Sequence, residues 1–384
     1  MSYELRDYQR QASDRAVEFF TDKKRKGNAI MVLPTGSGKS LVIADIASRL
    51  SEPTLVFQPS KEILEQNFLK LTSYGVLDCA IYSASMNSKN IARITFATIG
   101  SVINNKEQFS HFRNIIVDEC HFVNAKQGMY FDFLEQMNAP VLGLTATPYR
   151  LSSNSFGSIL KFITRTKPRV FKDVIYYCQV GELAQRNYLA KLEYYQVRAI
   201  HTQNLQLNST RADYTDKSVK AEYQRSGFQN KILEIVERLI RADRENILVF
   251  TRFVEEAQFL VDRLEGLAEI VTAQTPKKER ERILKEFKSG EIRVVANVGI
   301  LTTGFDYPEL STIVLARPTM SLALYYQMVG RGIRPHSTKK CSWIVDLCEN
   351  YDRFGKVENL VLSRDSKGLW GVFSDEKQLT NVFF

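Results

Sequence analysis

Residues 33–40, "LPTGSGKS", set two glycines, a lysine and three hydroxyls between an apolar run, "NAIMV", and a helix-like run, "LVIADIASRL". Glycines let backbone amides approach an anion, a helix start adds its dipole, and an ammonium can neutralise terminal phosphates. That chemistry assigns Gly36, Ser37, Gly38, Lys39 and Ser40, led in by Pro34 and Thr35, to the phosphates of a nucleotide. Ser40 would hold Mg²⁺. The strict phosphate-loop pattern has a further glycine five residues before Gly38, where this chain has Leu33. A chance Gly/Ser turn is the bland alternative, but it would not need the strand before it and the helix after it.

Downstream, "NIIVDECHFV" ends an apolar strand with Asp118, Glu119 and His121. An aspartate at a strand's C-terminal end can bind Mg²⁺ through water, and a neighbouring glutamate can orient and deprotonate the attacking water. Acidic pairs at strand ends are common, so this one gains meaning only beside the phosphate loop. A third cluster, "YYQMVGRGIRP" at 325–335, places Arg331 and Arg334 three residues apart. They are either solvated surface charges or cations waiting for a polyphosphate held elsewhere. The phosphate loop supplies that polyphosphate, and on this view both arginines stay solvated until the nucleotide arrives.

Such residues need rigid strands to carry them. "NAIMVLP", "PTLVFQP", "RITFATI", "NIIVDEC" and "VLGLTAT" alternate with helical patterns, and the alternation restarts with "ENILVFTR", "AEIVTA", "IRVVANV" and "STIVLARP". Continuous Val/Ile/Leu strands between helices indicate a parallel sheet covered on both faces. The 384 residues suit two domains of roughly 150–200 residues each. The expected division is an ATP-binding domain at 1–165, a linker or accessory segment at 166–230, a second α/β domain at 231–350 and a tail at 351–384. One helix, "GELAQRNYLAKL", is expected within the linker.

The net charge of +9 and pI near 9.1 suggest a polyanionic partner such as nucleic acid. Five scattered cysteines form no closely spaced pair, which argues against zinc and disulfide frameworks. No apolar run approaches the ~20 residues of a membrane span, and the start lacks a signal-peptide core. The composition is that of a soluble, cytoplasmic protein with no membrane partner.

Taken in order, "LRDYQ", "LPTGSGKSLVIA", "VDECH", "LGLTATPYR", "LTTGFD" and "YYQMVGRGIRP" resemble the motif series of superfamily 2 helicases. The set is most similar to the RadD-like bacterial DNA helicases, neighbours of the ResIII-type translocases, and spans about residues 3–350. The resemblance implies an α/β fold of two RecA-like parallel-sheet domains in tandem. ATP would bind in the cleft between them, with Mg²⁺ on Ser40 and Asp118 and a nucleic-acid strand across both.

It implies that Gln9 reads adenine with Arg6 nearby, and that Lys39, Asp118, Glu119, Arg331 and Arg334 carry catalysis. Gly304 and Asp306 match the second domain's cleft motif, and His121, Thr145, Thr147 and Gln327 match positions that couple nucleotide state to domain closure. Lys61, Thr98, Thr251 and Arg252 match loops that contact the nucleic-acid backbone, since hydroxyls and cations at helix starts suit phosphates. Each of these four could equally be a helix cap or a surface charge. The function implied is an ATP-dependent helicase or translocase acting on DNA. An RNA helicase, or a weakly hydrolysing switch subunit of a DNA-processing complex, remains open, because no residue here separates 2′-hydroxyl from backbone recognition.

Overall fold

The computed structural model describes residues 4–25, 27–154, 157–302, 305–375 and 377–382. The chain forms two compact units. The first comprises Met1–Arg150, Lys161–Gln179 and Leu362–Gly371; the second comprises Leu151–Leu160, Val180–Val361 and Val372–Phe384.

In the first unit, helix α1 (Asp7–Thr21) precedes β1 (Asn28–Val32), α2 (Lys39–Arg49), β2 (Thr54–Phe57) and α3 (Lys61–Ser73). There follow β3 (Cys79–Ser83), β4 (Ser88–Lys89), β5 (Ile94–Ala97), α4 (Ile99–Val102), β6 (Asn114–Asp118), α5 (Met129–Leu134) and β7 (Val141–Thr145). β8 (Tyr149–Asn154) and β9 (Gly157–Phe162) pair as a two-stranded sheet, most of it in the second unit, before β10 (Phe171–Tyr177) of the first. The sheet runs β10-β1-β7-β6-β2-β5-β3-β4, parallel except for the short β4. Every residue of β2, β5, β6 and β7 is buried, so these strands read as unbroken apolar runs rather than alternating ones.

The second unit contains α6 (Val180–Gln185), β11 (Lys191–Gln196), α7 (Asp216–Ser226), α8 (Phe228–Arg241), β12 (Ile247–Thr251), α9 (Val254–Arg263) and β13 (Ala268–Val271). It continues with α10 (Lys277–Ser289), β14 (Val294–Val298), β15 (Thr312–Ala316), α11 (Leu322–Val329), β16 (Cys341–Asp346) and α12 (Asn350–Phe354). Its all-parallel sheet has the order β11-β16-β15-β12-β14-β13. Phe228, Ile232 and Val236 recur along α8 and are fully buried in the apolar cluster that also holds Ile247 and Val249 of β12. Each contributes about 1.5–3 kcal/mol by leaving water.

The stretch 166–230, expected to be a linker or accessory segment, supplies an edge strand to each sheet, β10 to the first and β11 to the second. Edge strands bury only part of their side chains, and both show mixed burial, so their sequences look polar and loop-like. The helix expected over 181–192 is confined to Val180–Gln185, because Lys191 already pairs in β11. The tail is also structured. β17 (Leu360–Arg364), β18 (Trp370–Ser374) and β19 (Lys377–Gln378) form a three-stranded sheet. Of its closing "NVFF", the last two residues lie outside the described ones. Among the described residues, no helix is long and apolar enough to cross a membrane.

Candidate active site

The phosphate loop continues directly from β1. Leu33 is buried and its N–H donates to the Thr145 carbonyl at 3.0 Å, extending the β1–β7 pairing by one residue. At position 33 the chain is therefore still strand, which is why an apolar side chain serves where the strict pattern has glycine. Gly36 and Gly38 both have φ of 80°, the left-handed region that side chains disfavour. A Cβ on Gly38 would also run into the Gln9 amide. No side chain caps the start of α2 at Gly38, leaving its first amides to an incoming anion.

Helix α1 clamps this loop. Gln9 Nε2 donates to the Ser37 carbonyl at 2.7 Å, and the Tyr8 hydroxyl donates to the same oxygen at 2.8 Å. Arg6 is exposed at the helix start, and its N–H donates to Gln9 Oε1 at 2.9 Å. Gln9 is thus fixed through both ends of its amide.

The acids sit at the C-terminal edge of the same sheet. Asp118 ends β6, and Glu119 turns away from it with φ 50° and ψ 48°, an uncommon conformation for a residue with a side chain. The turn can pack because β7 carries Gly143 there. A Cβ at Gly143 would stand 2.6 Å from both Cβ and Sγ of Cys120. Lys39 Nζ meets Glu119 Oε1 at 3.1 Å, and His121 Nδ1 lies 3.2 Å from Glu119 Oε2. The same His121 nitrogen is 2.9 Å from Thr145 Oγ1 and 3.2 Å from Thr147 Oγ1, while the Thr147 N–H donates to Thr145 Oγ1 at 3.0 Å. One polar chain therefore links Lys39, Glu119, His121, Thr145 and Thr147. His121 Nε2 is buried and meets no partner among the described residues.

Asp118 accepts the Glu119 N–H at 2.9 Å on one oxygen and faces Asn67 Nδ2 at 3.5 Å with the other. Asn67 is buried on α3 and also donates to Gln58 Oε1 at 2.9 Å. No motif pointed to Asn67, because its partner lies 51 positions away in sequence. Burial, and then the Glu119 charge, push the Asp118 carboxyl above its ordinary range. Burial acts the same way on Glu119, but Lys39 and His121 outweigh it and hold that carboxyl below its ordinary range. Glu119 is therefore kept ionised.

Among the described residues, no three His, Cys, Asp or Glu side chains converge into a metal cage. Ser40, in the first turn of α2, and Asp118 are oxygen donors of the kind Mg²⁺ takes in small number, with water and phosphate filling the rest. The donor set fits that ion.

In the second unit, Arg331 and Arg334 follow α11. Arg331 is buried, its Nη1 donating to the Phe305 carbonyl at 2.8 Å and its Nε to the Gln327 carbonyl at 3.4 Å. Arg334 reaches the same Phe305 carbonyl at 3.3 Å and forms an ion pair with Asp306. This corrects the expectation that both arginines are solvated: the 305–306 loop supplies acceptors that sequence spacing alone does not place. Gly304 lies outside the described residues.

The four candidate nucleic-acid contacts divide. Lys61 opens α3 behind the Ser60 cap and is half-buried; Thr98 precedes α4, its hydroxyl 2.9 Å from Ser101 Oγ. Thr251 is buried, its hydroxyl donating to the Phe253 carbonyl at 3.1 Å. Arg252 spends its guanidinium on Asp213 at 3.2 Å, Asp216 at 2.9 Å and the Tyr214 carbonyl at 2.7 Å. Neither Thr251 nor Arg252 presents a free donor here. The Asp213, Tyr214 and Asp216 acceptors of Arg252 come from "RADYTD", a tract that reads as loop.

Residues 2–150 match the family model of the type III restriction enzyme res subunit, and residues 230–336 that of the helicase conserved C-terminal domain. Among curated proteins, a 51.5 kDa protein of a Lactococcus phage is 27% identical over 84% of this chain and 66% of its own length. The putative ATP-dependent helicase IRC3 of Saccharomyces cerevisiae is 25% identical over 89% of this chain and 51% of its own. The DNA 3'-5' translocase XPB2 of Sulfurisphaera tokodaii is 26% identical over 86% and 79%. The chain thus spans only 66% and 51% of the first two of these relatives.

Among solved structures, a fragment of a putative HsdR subunit of a type I restriction enzyme from Vibrio vulnificus superposes with a TM-score of 0.67 at 23% identity, covering 93% of this chain and 67% of that one. The Hef helicase domain of Pyrococcus furiosus gives 0.53 at 18% identity, over 88% and 94%. These likenesses show the fold, two RecA-like α/β domains in tandem. The two matched domain models follow one another along the chain, one on each parallel sheet, and in both the chain is similar to superfamily 2 helicases of the ResIII type.

Proposed function

We propose that this protein is an ATP-hydrolysing motor that moves along or unwinds nucleic acid, and that its track is DNA. The carrying observation is the polar chain from Lys39 through Glu119 and His121 to Thr145 and Thr147. Lys39 is the ammonium that a terminal phosphate would attract, and here it holds Glu119. Drawing Lys39 toward phosphate removes the cation that most lowers the Glu119 basicity, so nucleotide binding itself readies the proton acceptor. His121 and the two threonines would carry that change to β7. Bound through Ser40 and Asp118, Mg²⁺ would offset the charge of the phosphates. Arg331 and Arg334 are the candidates for planar cations on the transferring group, and Gln9 with Arg6 nearby for the base.

DNA is favoured over RNA because relatives such as XPB2 are named as DNA enzymes, and the +9 charge suits either polyanion. The test is ATP hydrolysis measured in parallel with single-stranded, duplex and forked DNA and with RNA. Stimulation by DNA is expected. Stimulation by RNA alone would overturn the choice of track, and no stimulation by either would overturn the motor.

A further inference from the structure

In the second unit, β12 and β15 lie side by side with Thr251 paired to Ala316. The chain leaves β12 through α9 toward β13 on one side of the sheet, and leaves β15 through α11 toward β16 on the other. The carboxyl ends of these two strands therefore flank a topological switch point, the place where open parallel sheets bind ligands. The first residue beyond each strand is an arginine, Arg252 and Arg317.

The two differ in one respect. Arg252 takes the acceptors within reach: Asp213, Asp216 and the carbonyls of Tyr214 and Pro318. For Arg317 nothing remains. Its Nε is buried without a partner, the side chain as a whole is half-buried, and no hydrogen bond from its guanidinium is present among the described residues. Burial, and then the Arg252 charge, disfavour its cation; the Asp213 and Asp216 carboxylates offset this only in part, and their hydrogen bonds go to Arg252. A half-buried cation without a hydrogen-bonded counter-charge is a costly arrangement unless an anion completes it.

The loop that carries Arg317 is nevertheless rigidly held. The Ala316 carbonyl accepts from the Tyr223 hydroxyl at 3.0 Å, and the Arg317 carbonyl from Asn350 Nδ2 at 3.1 Å. The Thr319 N–H donates to Asn350 Oδ1 at 3.1 Å, and the Met320 N–H to Asp213 Oδ1 at 3.0 Å. Backbone groups on both sides are satisfied, and the guanidinium alone is left open. We propose that Arg317, in place of Arg252, is the second unit's seat for a backbone phosphate of the nucleic-acid strand, with Arg252 acting as the structural cation that keeps the neighbouring carboxylates away from it. This rests on the nucleic-acid reading above.

The test measures binding of the whole chain to a labelled single-stranded oligonucleotide across a salt series, together with melting temperature without DNA. Arg317→Met should weaken binding about tenfold at low salt and make the log–log salt slope shallower by about one phosphate. Its melting temperature should equal or exceed the parent's, since an unpaired half-buried charge has been removed. Arg317→Lys should restore part of the slope, and Arg252→Met should melt lower than the parent. If Arg317→Met binds as the parent does, or melts well below it, the assignment fails and Arg317 is structural. If the parent itself binds no oligonucleotide at any salt, the motor reading fails first and this one with it.

Discussion

Arg334 forms an ion pair with Asp306, and Arg331 donates to the carbonyl of Phe305 just before it, so one short loop anchors both arginines. A cation used on a transferring phosphate would have to exchange these partners for it. Arg334→Ala should lower nucleic-acid-stimulated kcat by roughly 10³–10⁵, the range for an arginine that neutralises developing charge. ATP affinity should change only a few-fold. Arg334→Lys should rescue poorly, because a point ammonium lacks the planar fork. Steady-state hydrolysis beside nucleotide titration checks this. Turnover within a few-fold of the parent would leave Arg334 as a purely structural partner of Asp306.

Glu119→Gln keeps the size of the side chain but removes the proton acceptor and the charge that holds Lys39 at 3.1 Å. Turnover should be lost by several orders of magnitude, while ATP binding should stay equal or tighten, since Lys39 is released. Single-turnover hydrolysis with a filter-binding control separates the two. Near-parental hydrolysis would remove Glu119 from the base role.

Asn67 touches no candidate substrate position, yet it braces the Asp118 carboxylate from α3. Asn67→Ala should reduce turnover by about 10- to 100-fold, the usual effect of losing an outer partner of a metal-binding carboxylate, and should raise the Mg²⁺ concentration required for half activity. Asn67→Asp should be worse, placing a second charge beside an already strained carboxyl. An unchanged Mg²⁺ requirement would make Asn67 a packing residue only.

Glu256 is buried at the start of α9 with Oε2 unpartnered, and burial raises its carboxyl from 4.5 to about 7. A carboxyl raised in the folded state binds its proton more readily there than when unfolded. Its stabilising share is therefore complete below about pH 4 and is lost as pH rises through about 7. Glu256→Gln, which mimics the protonated form, should match the parent at pH 4 and exceed it at pH 8 by up to about 3 kcal/mol. Thermal melts at the two pH values decide. A variant less stable than the parent at pH 8 would mean that the carboxylate has a partner.

What the sequence by itself determined is what short-range order carries. A glycine loop between a strand and a helix, an acid pair ending an apolar strand, and fully apolar parallel strands are each contiguous. Lys39, Asp118 and Glu119 were legible for that reason, as was the α/β class. The tertiary structure decided what depends on partners distant along the chain. Asn67 reaches Asp118 across 51 positions, and Arg252 meets Asp213 across 39. Side-chain pairing of this kind has no period and no turn residue to announce it. The edge strands β10 and β11 escaped notice because an edge buries too little to write an apolar run. Arg252 and Arg317 show the limit most clearly. Both are arginines one residue past a buried strand, equal on paper, and only the fold gives one of them the carboxylates and leaves the other without an acceptor.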